Sequence, residues 1–417
     1  MKKVLLIAPG GLPVPAVSGG AVQNLIEHII AQSQEDHNIR LYVITPLDQK
    51  AKQEALEKYP ESHFCWVKIP KVIELIDLLC YNTVKLLFRN TKAISFKNNL
   101  RFLFYAYKTA LFLRRNSFDK VVIENNVRNF LALKMFGNSK KYEGRYYYHL
   151  HNVPRTSFGC KDIIQNCKRI LCVSEYVGSC ICNAKNPIGP ISPEKVFVYK
   201  NCIDTSQFHP KALDGENKLR RREQMGINEG EKVILFAGRL SKEKGILETI
   251  QAFTKMQVDN VKLLVVGADF YGLKTTSPFE QKLREEAAPI SDKILFTGYI
   301  PYNSMPEIYG LADIAVLPSI WDEPAGLTMV EAMACGLPVI TTNAGGIPEY
   351  TDSRSSIVLN RDETLTDQLQ FWMEKLLDDG ELRSRFGRQA AISAAAYNKI
   401  QYYSKFLAAL ELEGGEL

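Results

Sequence analysis

The stretch IAVLPSIWDEPAGLTMVEAMACGLPVITT, residues 314–342, reads as a strand, a loop, a helix and a second strand. The apolar runs Ile314–Leu317 and Val339–Thr342 predict two short buried strands. Between them, the apolar spacing of Thr328–Ala334 indicates a helix, and Gly336 marks its end. A helix that joins two buried strands is typical of a parallel sheet with crossover connections.

The same alternation of strands and helices continues in both directions and forms two series. The first series of predicted strands comprises Val4–Ala8, Leu41–Thr45, Val121–Glu124, Tyr146–Leu150, Ile170–Val173 and Val196–Tyr199. The second series comprises Val233–Ala237, Lys262–Val266, Ile294–Thr297, Ile314–Leu317 and Val339–Thr342. Two series separated by a polar stretch predict two doubly wound α/β domains rather than one sheet.

The polar stretch lies between Lys200 and Glu231, where the composition changes from apolar to charged and glycine-containing. We therefore expect a Rossmann-like amino-terminal domain over residues 1–203 and a Rossmann-like carboxyl-terminal domain over 204–385. Residues 386–417 have a helical pattern and are expected to pack back on the amino-terminal domain. The expected architecture is two facing domains with a cleft between them.

The composition excludes several classes of protein. The chain has 417 residues, of which 46% are hydrophobic and 24% charged, an ordinary globular mixture that argues against disorder, collagen and coiled coil. No apolar run reaches the ~18–20 residues that span a bilayer, and the apolar run at the start is short for a secretory signal. The nine cysteines include no CxxC pair. We therefore expect free thiols in a reducing cytoplasm.

In open parallel sheets, ligands bind in the loops that follow the strands. The loop after the first strand ends in Gly19 and Gly20, directly before a helix, where backbone N–H groups could approach an anion. A simple turn explains this pair equally well. The strand Tyr146–Leu150 is followed by His151, which lies on the same face as His149 and could polarise a substrate group. A buried histidine bonded to the backbone is the alternative.

Two further loops carry charged residues. After Gly238, the turn toward the next helix contains Arg239 and Lys244, and two fixed cations at a strand end suit a diphosphate. A solvated cluster of charges is the alternative, because Lys242 and Glu243 lie between them.

The strongest candidate is the loop and helix after residue 318. Glu323 and Glu331 are separated by seven residues, and Gly326, Leu327 and Thr328 open the helix with free N–H groups. The Glu331 carboxylate could accept hydrogen bonds from the hydroxyls of a ribose, and Glu323 could meet sugar hydroxyls. Two acids stabilised by the helix dipole are the alternative.

The Glu-x7-Glu segment, the loop GRLSKEKG at 238–245 and the turn TNAGGIPE at 342–349 together resemble the retaining GT-B glycosyltransferases of family 4. The resemblance covers nearly the whole chain and is densest from Ala237 to Tyr350. It implies a hexosyltransferase-type enzyme that moves a sugar from a nucleotide-diphosphate sugar to a glycan acceptor with retention at the anomeric carbon. It also suggests a lipid-linked acceptor in the synthesis of cell-surface polysaccharide.

The resemblance assigns roles to residues at the matching positions. The catalytic set that it implies is His151, Arg239, Lys244 and Glu323. The nucleotide-sugar-binding set is Gly19, Gly20, Gly238, Gly326, Leu327, Thr328 and Glu331. The chain has no Asp-x-Asp motif, so we expect no metal and no cofactor, with cations and the helix amino terminus acting on the diphosphate.

The chain departs from the family pattern at two positions. Cys202 stands within the segment that contains Asn201 and Asp204, where relatives usually have glycine. Ala325 stands where many relatives have phenylalanine, which would reshape the pocket for the donor sugar.

The net charge of +6 is unevenly placed, since the stretch from Lys68 to Asn116 has ten Lys or Arg and two acids. Its first part is apolar and is punctuated by Lys71, Glu74, Lys85 and Arg89. Further on, Arg101, Lys108 and Arg115 recur every seven residues and share a helix face among aromatic residues. This suits peripheral docking at an anionic inner membrane surface, and a core helix with a solvated basic stripe is the alternative. No nucleic-acid motif is present.

Three other functions fit the predicted fold less well. A GT-B epimerase or hydrolase would need acid and base carboxylates facing the sugar, which the Glu-x7-Glu pattern disfavours. A non-catalytic GT-B adaptor should have lost the site residues, yet Arg239, Lys244, Glu323 and Glu331 are all present. A nicotinamide oxidoreductase is disfavoured because the chain lacks the G-x-G-x-x-G fingerprint at its first loop.

Overall fold

A computed structural model of the chain describes residues 1–88, 98–210, 215–268 and 278–412, apart from the side chains of 85–88. The chain divides into two compact units. The first comprises Met1–Lys200 with the carboxyl-terminal residues from Tyr402 onward, and the second comprises Asn201–Gln401.

The first unit is built on a sheet of seven parallel strands. The strands are β1 (Lys2–Ile7), β2 (Ile39–Pro46), β3 (His63–Val67), β4 (Lys120–Glu124), β5 (Tyr146–Leu150), β6 (Ile170–Cys172) and β7 (Val196–Val198). Their order across the sheet is β3-β2-β1-β4-β5-β6-β7. The residues of Val4–Ile7 are all fully buried. Both faces of the sheet are therefore covered, as in other wholly parallel sheets.

The second unit is built on a sheet of six parallel strands. The strands are β8 (Lys232–Ala237), β9 (Val261–Val266), β10 (Ile294–Gly298), β11 (Ile314–Leu317), β12 (Val339–Thr342) and β13 (Ser356–Leu359). Their order is β10-β9-β8-β11-β12-β13. In both sheets the strand order reverses beside the first strand of the series, which is the topology of doubly wound folds.

Helices connect the strands. The first unit contains α1 (Ala21–Asp36), α2 (Gln49–Lys58), α3 (Lys71–Phe88), α4 (Asn99–Arg115), α5 (Leu131–Lys134), α6 (Asn138–Lys141), α7 (Lys161–Gln165) and α8 (Glu175–Cys182). The second contains α9 (Gly215–Gln224), α10 (Ile246–Lys255), α11 (Pro278–Ala287), α12 (Met305–Leu311), α13 (Leu327–Ala334), α14 (Leu365–Asp378) and α15 (Gly380–Ala394). The last helix, α16 (Lys399–Ala409), begins in the second unit and continues in the first.

The predicted fold class is confirmed, because each predicted strand coincides with an observed one to within a few residues. The sequence analysis missed β3 and β13, which are edge strands of the two sheets. In β3 only Val67 is buried, so the apolar signal is weak. An edge strand is covered less completely than a central one, and its sequence therefore resembles a loop more closely.

The helical pattern after residue 386 corresponds to two helices, α15 and α16, rather than one segment. The part from Tyr402 onward groups with the first unit, and the part before it groups with the second. Within the first unit, the rings of Tyr199 and Tyr402 stack with centroids 4.3 Å apart. The Arg169 guanidinium also donates to the carbonyl oxygen of Ala409 at 3.2 Å. These contacts attach the end of the chain to the first sheet.

Candidate active site

In the second unit, three charged side chains of the predicted site lie in loops at one edge of the sheet. Arg239 and Lys244 follow β8, and Glu323 follows β11. These two strands are neighbours in the sheet, and β12 lies on the other side of β11. Because parallel strands end at the same edge, the loops that follow them meet there.

Lys244 and Glu323 form an ion pair between the Lys244 Nζ and the Glu323 Oε1. The Ser319 hydroxyl donates to the same oxygen at 2.6 Å. Burial tends to raise the pKa of Glu323, but the Lys244 charge and hydrogen bonds from Lys244 and Ser319 outweigh it, so this pKa is lowered overall. The carboxylate is therefore ionised at neutral pH and holds the ammonium group at the sheet edge.

Two glycines allow the loops around this pair to touch through their backbones. Gly245 has φ 72°, and a Cβ there would strike the carbonyl oxygen of Pro318. Gly345 has φ 58°, and a Cβ there would strike the backbone of Glu323. The Gly346 N–H then donates to the Glu323 carbonyl oxygen at 2.7 Å. The sequence analysis quoted both glycines but gave neither a role, although glycine at a strand-end turn is the signal of such an approach.

The helix α13 begins at Leu327, four residues after Glu323. Its cap residue is Gly326 at φ 119°, which makes no side-chain cap hydrogen bond, and its first turn holds no acidic residue. Gly326, Leu327 and Thr328 are half-buried, so they are reachable from solvent. The positive end of the helix dipole is thus open to an anion beside the Lys244–Glu323 pair.

Glu331 lies one turn into α13 and is buried. The Tyr309 hydroxyl of α12 donates to its Oε2 at 2.9 Å. Burial raises the pKa of Glu331 to about 7, although hydrogen bonds from Tyr309 and Tyr302 lower it in part. The sequence analysis did not find these tyrosines, because they precede Glu331 by more than 20 residues.

Arg239 is less firmly placed than Lys244. Its side chain is half-exposed, and its guanidinium lies 3.9 Å from the half-exposed Glu243 carboxylate. Gly238 packs against Gly267 at the end of β9, where a Cβ on Gly267 would strike the Gly238 carbonyl oxygen. The two strand ends therefore touch through their backbones beside Arg239. Gly267 was not singled out from the sequence.

In the first unit, His151 belongs to a buried cluster with Glu124 and His149. The Glu124 Oε2 lies 2.9 Å from His149 Nδ1 and 3.2 Å from His151 Nε2. Burial tends to raise the pKa of Glu124, but the charge and hydrogen bonds of His149 and the hydrogen bond of His151 lower it to about 2. Burial, with the charge of His149, lowers the pKa of His151 to about 4. His151 is therefore a neutral ring oriented by a carboxylate.

This cluster is also the group whose geometry could hold a metal ion. Among the described ranges, Glu124, His149 and His151 are three potential ligands whose atoms lie within 4.8 Å of one another. Nitrogen and carboxylate ligands suit zinc. A hydrogen bond between Glu124 Oε2 and His151 Nε2, with His149 Nδ1 at 2.9 Å from the same oxygen, accounts for this geometry without a metal.

Gly19 and Gly20 lie before α1, and Gly20 is its cap residue at φ 115°. No side-chain cap hydrogen bond is made there, and the first turn of α1 contains no acid. These glycines follow β1, and His151 follows β5, with β4 between the two strands. The structure thus brings both predicted features to the same edge of the first sheet.

A cavity of about 330 Å³ opens at this edge of the first unit. Its polar lining includes Asn125, Asn126, Asn152 and Arg155, and Phe102 and Phe158 contribute aromatic surface. The Arg128 guanidinium lies over both rings, 4.9 Å from the centroid of Phe102 and 4.6 Å from that of Phe158. Amide groups and aromatic faces together suit a polar ring such as a sugar.

The basic stretch from Lys68 to Asn116 contains all of α3 and all of α4. Arg101 is half-buried and donates to the Gly11 carbonyl oxygen at 3.3 Å, whereas Lys108 and Arg115 are exposed. The side chain of Lys85 and all of Arg89 lie outside the described residues. Among the helices that the structure describes, none is both long enough and apolar enough to cross a membrane.

Comparison with known proteins identifies relatives of both halves. The family described as glycosyl transferases group 1 matches residues 217–392. The chain is 24% identical to spore coat protein SA of Bacillus subtilis over 391 residues, which is 93% of each chain. It is 35% identical to the lipopolysaccharide 1,2-N-acetylglucosaminetransferase of Salmonella typhimurium over 36% of this chain and 38% of that protein. It is 33% identical to the alpha-monoglucosyldiacylglycerol synthase of Streptococcus pneumoniae over 39% of this chain and 37% of that protein.

Solved structures match over almost the full length. A glycosyltransferase from Rickettsia africae superimposes with a TM-score of 0.71 at 18% identity, covering 100% of this chain and 99% of that one. Anabaena HepE, solved in complex with UDP and glucose, superimposes with a TM-score of 0.70 at 17% identity, covering 99% and 100%. The chain therefore has the GT-B fold of solved glycosyltransferases, and its residues 217–392 match the group 1 glycosyl transferases.

Proposed function

We propose that the protein transfers a hexose from a nucleotide-diphosphate sugar to a glycan acceptor with retention of anomeric configuration, as a family 4 enzyme. The Lys244–Glu323 ion pair beside the open amino end of α13 carries this proposal. The pair joins a cation for the diphosphate to a carboxylate for sugar hydroxyls. It lies in the segment that matches the group 1 glycosyl transferases.

Departure of the nucleoside diphosphate builds negative charge on its terminal phosphate. Positive groups aimed at that charge before the reaction lower the barrier, because they need not reorganise. Lys244, Arg239 and the first N–H groups of α13 are the groups in the second unit that would do so. Because they supply cationic and dipolar stabilisation together, we propose transfer that does not depend on a metal.

In the structure, Lys244 and Glu323 form an ion pair with each other. In the proposed complex, Lys244 turns its charge to a phosphate oxygen and Glu323 accepts hydrogen bonds from sugar hydroxyls. The donor would therefore replace the contact between Lys244 and Glu323 with one contact to each of them. No further charged side chain would be required in the site. The lowered pKa of Glu323 keeps it an acceptor at neutral pH.

Glu331 is proposed to hold the ribose hydroxyls of the nucleotide. A carboxylate accepts two hydrogen bonds from a cis-diol, and Tyr309 and Tyr302 orient this one from α12 and the turn before it. Gly238 and Gly326–Thr328 are proposed to approach the donor through their backbones. In the first unit, His151 with Gly19 and Gly20 is proposed to face the donor sugar and diphosphate.

The proposed acceptor is a lipid-linked glycan of cell-surface polysaccharide synthesis. Two relatives are named for lipopolysaccharide and for a glucosylated diacylglycerol. The cavity of the first unit, with its amides and aromatic rings, fits a sugar of such an acceptor. All nine cysteines are free, which agrees with a proposed location in the cytoplasm at the inner face of the membrane.

A pair of variants in one turn tests the donor role. Lys244→Ala should lower the transfer rate by about 10²–10³-fold, the usual cost of removing one group that stabilises developing negative charge. Lys242→Ala is the matched control, because Lys242 is an exposed lysine in the same turn. Equal rates for the two variants would contradict the proposal.

The donor is found first by thermal shift with UDP-, GDP-, ADP- and dTDP-glucose, each with and without EDTA. We expect one nucleotide class to raise the melting temperature of the wild type and the Lys242→Ala variant, but not that of Lys244→Ala. A shift that disappears with EDTA would contradict the proposed independence from metals. The absence of a shift with every donor would contradict a preformed donor site.

A further inference from the structure

The helix α3 exposes apolar side chains where a surface helix normally exposes polar ones. Val72, Leu75 and Leu79 are 63%, 56% and 57% exposed. They are spaced three and four residues apart, so they form one stripe along the helix. Ile76 and Leu78 flank this stripe and are also exposed. The outward face of α3 is therefore almost wholly aliphatic.

The opposite face of α3 buries a charged residue. Asp77 is buried, and its two carboxylate oxygens accept hydrogen bonds from the N–H groups of Leu100 at 2.9 Å and Arg101 at 2.8 Å. These N–H groups belong to the first turn of α4, whose own cap residue, Asn98, makes no side-chain cap hydrogen bond. Asp77 thus caps α4 from the neighbouring helix, and the positive end of the α4 dipole stabilises its charge.

This contact determines how α3 is oriented. Turning the helix to bury the leucines would expose Asp77 and leave the amino end of α4 without a cap. The helix α4 cannot follow such a turn, because its inner face is buried. The Tyr105 hydroxyl donates to the Ile44 carbonyl oxygen at 2.8 Å, and Ala106 and Leu113 pack in the core. The aliphatic face of α3 is therefore held outward by the rest of the unit.

The outer surface of α4 adds to this face. Leu100, Leu103 and Tyr107 are all exposed and are spaced three and four residues apart. The Tyr107 ring lies 6.1 Å from that of Phe136, which is also exposed. The two helices pack against each other, and both expose apolar side chains.

The charges around this surface are mainly positive. Lys68 and Lys71 are exposed before and at the start of α3, and Lys108, Arg114 and Arg115 are exposed on α4. The helix α4 contains no acidic residue, and Glu74 is the exposed acid among the described side chains of α3. Cations that flank an aliphatic face are complementary to anionic lipid headgroups around a hydrocarbon layer.

In the described part of the chain, single exposed apolar residues on other helices give a reference. Leu56 of α2, Phe371 of α14 and Ile392 of α15 are 70%, 54% and 66% exposed, each on a helix whose other exposed residues are polar or small. Single exposed residues of this kind are normal, whereas a continuous patch marks an interaction surface.

We propose that the outward face of α3, with Leu100, Leu103 and Tyr107 of α4, lies in the interface of a bilayer that contains anionic lipids. The helix would lie along the membrane surface with its stripe among the acyl chains, since Asp77 and the end of α4 hold it against the unit. This inference deepens the proposed function, because it names the surface by which the enzyme would reach a lipid-linked acceptor. The binding itself does not depend on transfer.

Vesicle flotation tests the surface. The full-length wild type should float with vesicles of phosphatidylcholine and phosphatidylglycerol at 7:3, and much less with phosphatidylcholine alone. Leu75→Ser with Leu79→Ser should reduce the bound fraction at least about tenfold, because two aliphatic side chains would no longer enter the bilayer. Phe371→Ser with Ile392→Ser is the matched control and should float like the wild type.

Solution measurements on the same proteins separate the alternatives. The Leu75→Ser, Leu79→Ser variant should keep the wild-type urea midpoint and donor-induced thermal shift, since both residues are exposed. Undiminished flotation of this variant, or equal wild-type binding to neutral and anionic vesicles, would overturn the proposal. So would a wild-type dimer that becomes a monomer in the variant while neither floats, which would assign the face to a second copy. A donor shift without flotation refutes this surface alone, and flotation without a donor shift refutes the transfer proposal alone.

Discussion

Glu124 in the first unit and Glu331 in the second are both buried carboxylates, and their pKa values are displaced in opposite directions. The pKa of Glu124 is lowered to about 2, and that of Glu331 is raised to about 7. Burial acts on both in the same sense, because it disfavours the charged form. The difference lies in the partners. Two imidazoles contact Glu124, whereas Glu331 meets two tyrosine hydroxyls, which donate hydrogen bonds but carry no charge.

Glu323 shows a third arrangement, in which a single ammonium group outweighs burial. The comparison indicates that the pKa of a buried glutamate is lowered here where a cationic or imidazole side chain contacts it. It also distinguishes Glu124 and Glu323, whose lowered pKa values keep them ionised at neutral pH, from Glu331, whose charge changes near pH 7. A ligand hydroxyl could supply Glu331 with the further hydrogen bonds that favour its ionised form.

Removing the charge of Glu124 should have the largest effect on stability. Glu124→Gln leaves two buried imidazoles without their carboxylate, and the lowered pKa of Glu124 corresponds to about 3–4 kcal/mol of unfolding free energy at pH 7. Urea denaturation at pH 7 measures it. Glu307→Gln, in an exposed pair 3.9 Å from Arg221, is the control and should change stability by less than about 1 kcal/mol. Equal changes in the two variants would show that the cluster contributes no special stability.

The same variant should change the pH dependence of folding. The folded-state pKa of Glu124, about 2, lies below the unfolded value of 4.5. Its contribution is therefore present above pH 4.5 and is lost as the pH falls toward 2. The wild type should lose stability relative to Glu124→Gln over that range. A constant difference between the two proteins would contradict the lowered pKa.

Glu331→Gln should change the free energy of unfolding somewhat less than Glu124→Gln does, and in the opposite direction. The folded-state pKa of about 7 lies above the unfolded 4.5, so the stability that Glu331 contributes is full below pH 4.5 and lost as the pH rises through 7. The raised pKa of Glu331 corresponds to a loss of about 3 kcal/mol of unfolding free energy at pH 8. The amide needs no ionisation, so the variant should gain stability over the wild type between pH 4.5 and 8. Calorimetric unfolding of the variant and the wild type at pH 4.5 and at pH 8 measures this gain. A stability difference that is the same at the two pH values would contradict the raised pKa.

Removing the hydroxyl group of Tyr309 should have the smallest effect on the free energy of unfolding. Tyr309→Phe removes a hydroxyl that lowers the pKa of Glu331, so that carboxyl group should take up its proton at a higher pH. We expect a loss of about 1 kcal/mol at pH 8, measured by urea denaturation. Tyr107→Phe is the control, because Tyr107 is exposed on α4. A larger loss for the control would show that the hydroxyl of Tyr309 is not what matters.

Residues in loops that follow strands could be named as site candidates from the sequence, whereas their contacts with side chains of other elements could not. Lys244 and Glu323 became candidates because each follows a predicted strand, the family resemblance placed them in one catalytic set, and the structure pairs them. The ribose role of Glu331 remains a prediction. Its contacts with Tyr302 and Tyr309 depend on how α12 packs against α13, which no local pattern describes. The Glu124–His151 contact likewise depends on the pairing of β4 with β5.

The basic stretch shows the same limit. The seven-residue spacing of Arg101, Lys108 and Arg115 was read as one cationic face, yet Arg101 is half-buried and bonded to Gly11. The more prominent feature, the aliphatic outer face of α3, was described only as an apolar stretch. From sequence alone such a stretch would be expected to lie in the core, because apolar helices usually do.

The sequence by itself determined the fold class, the number of sheets, the central strands and the loops that carry the charged residues. It could do so because buried parallel strands leave continuous apolar runs, and glycine and proline mark where the runs stop. Only the tertiary structure decided which carboxylates are charged and which face of α3 meets solvent. Both are set by partners far away in the chain: two imidazoles for Glu124, two tyrosines for Glu331 and the amino end of α4 for Asp77. Local patterns record a residue's own preferences, and the sign of a pKa shift or the orientation of a helix depends on what packs against it.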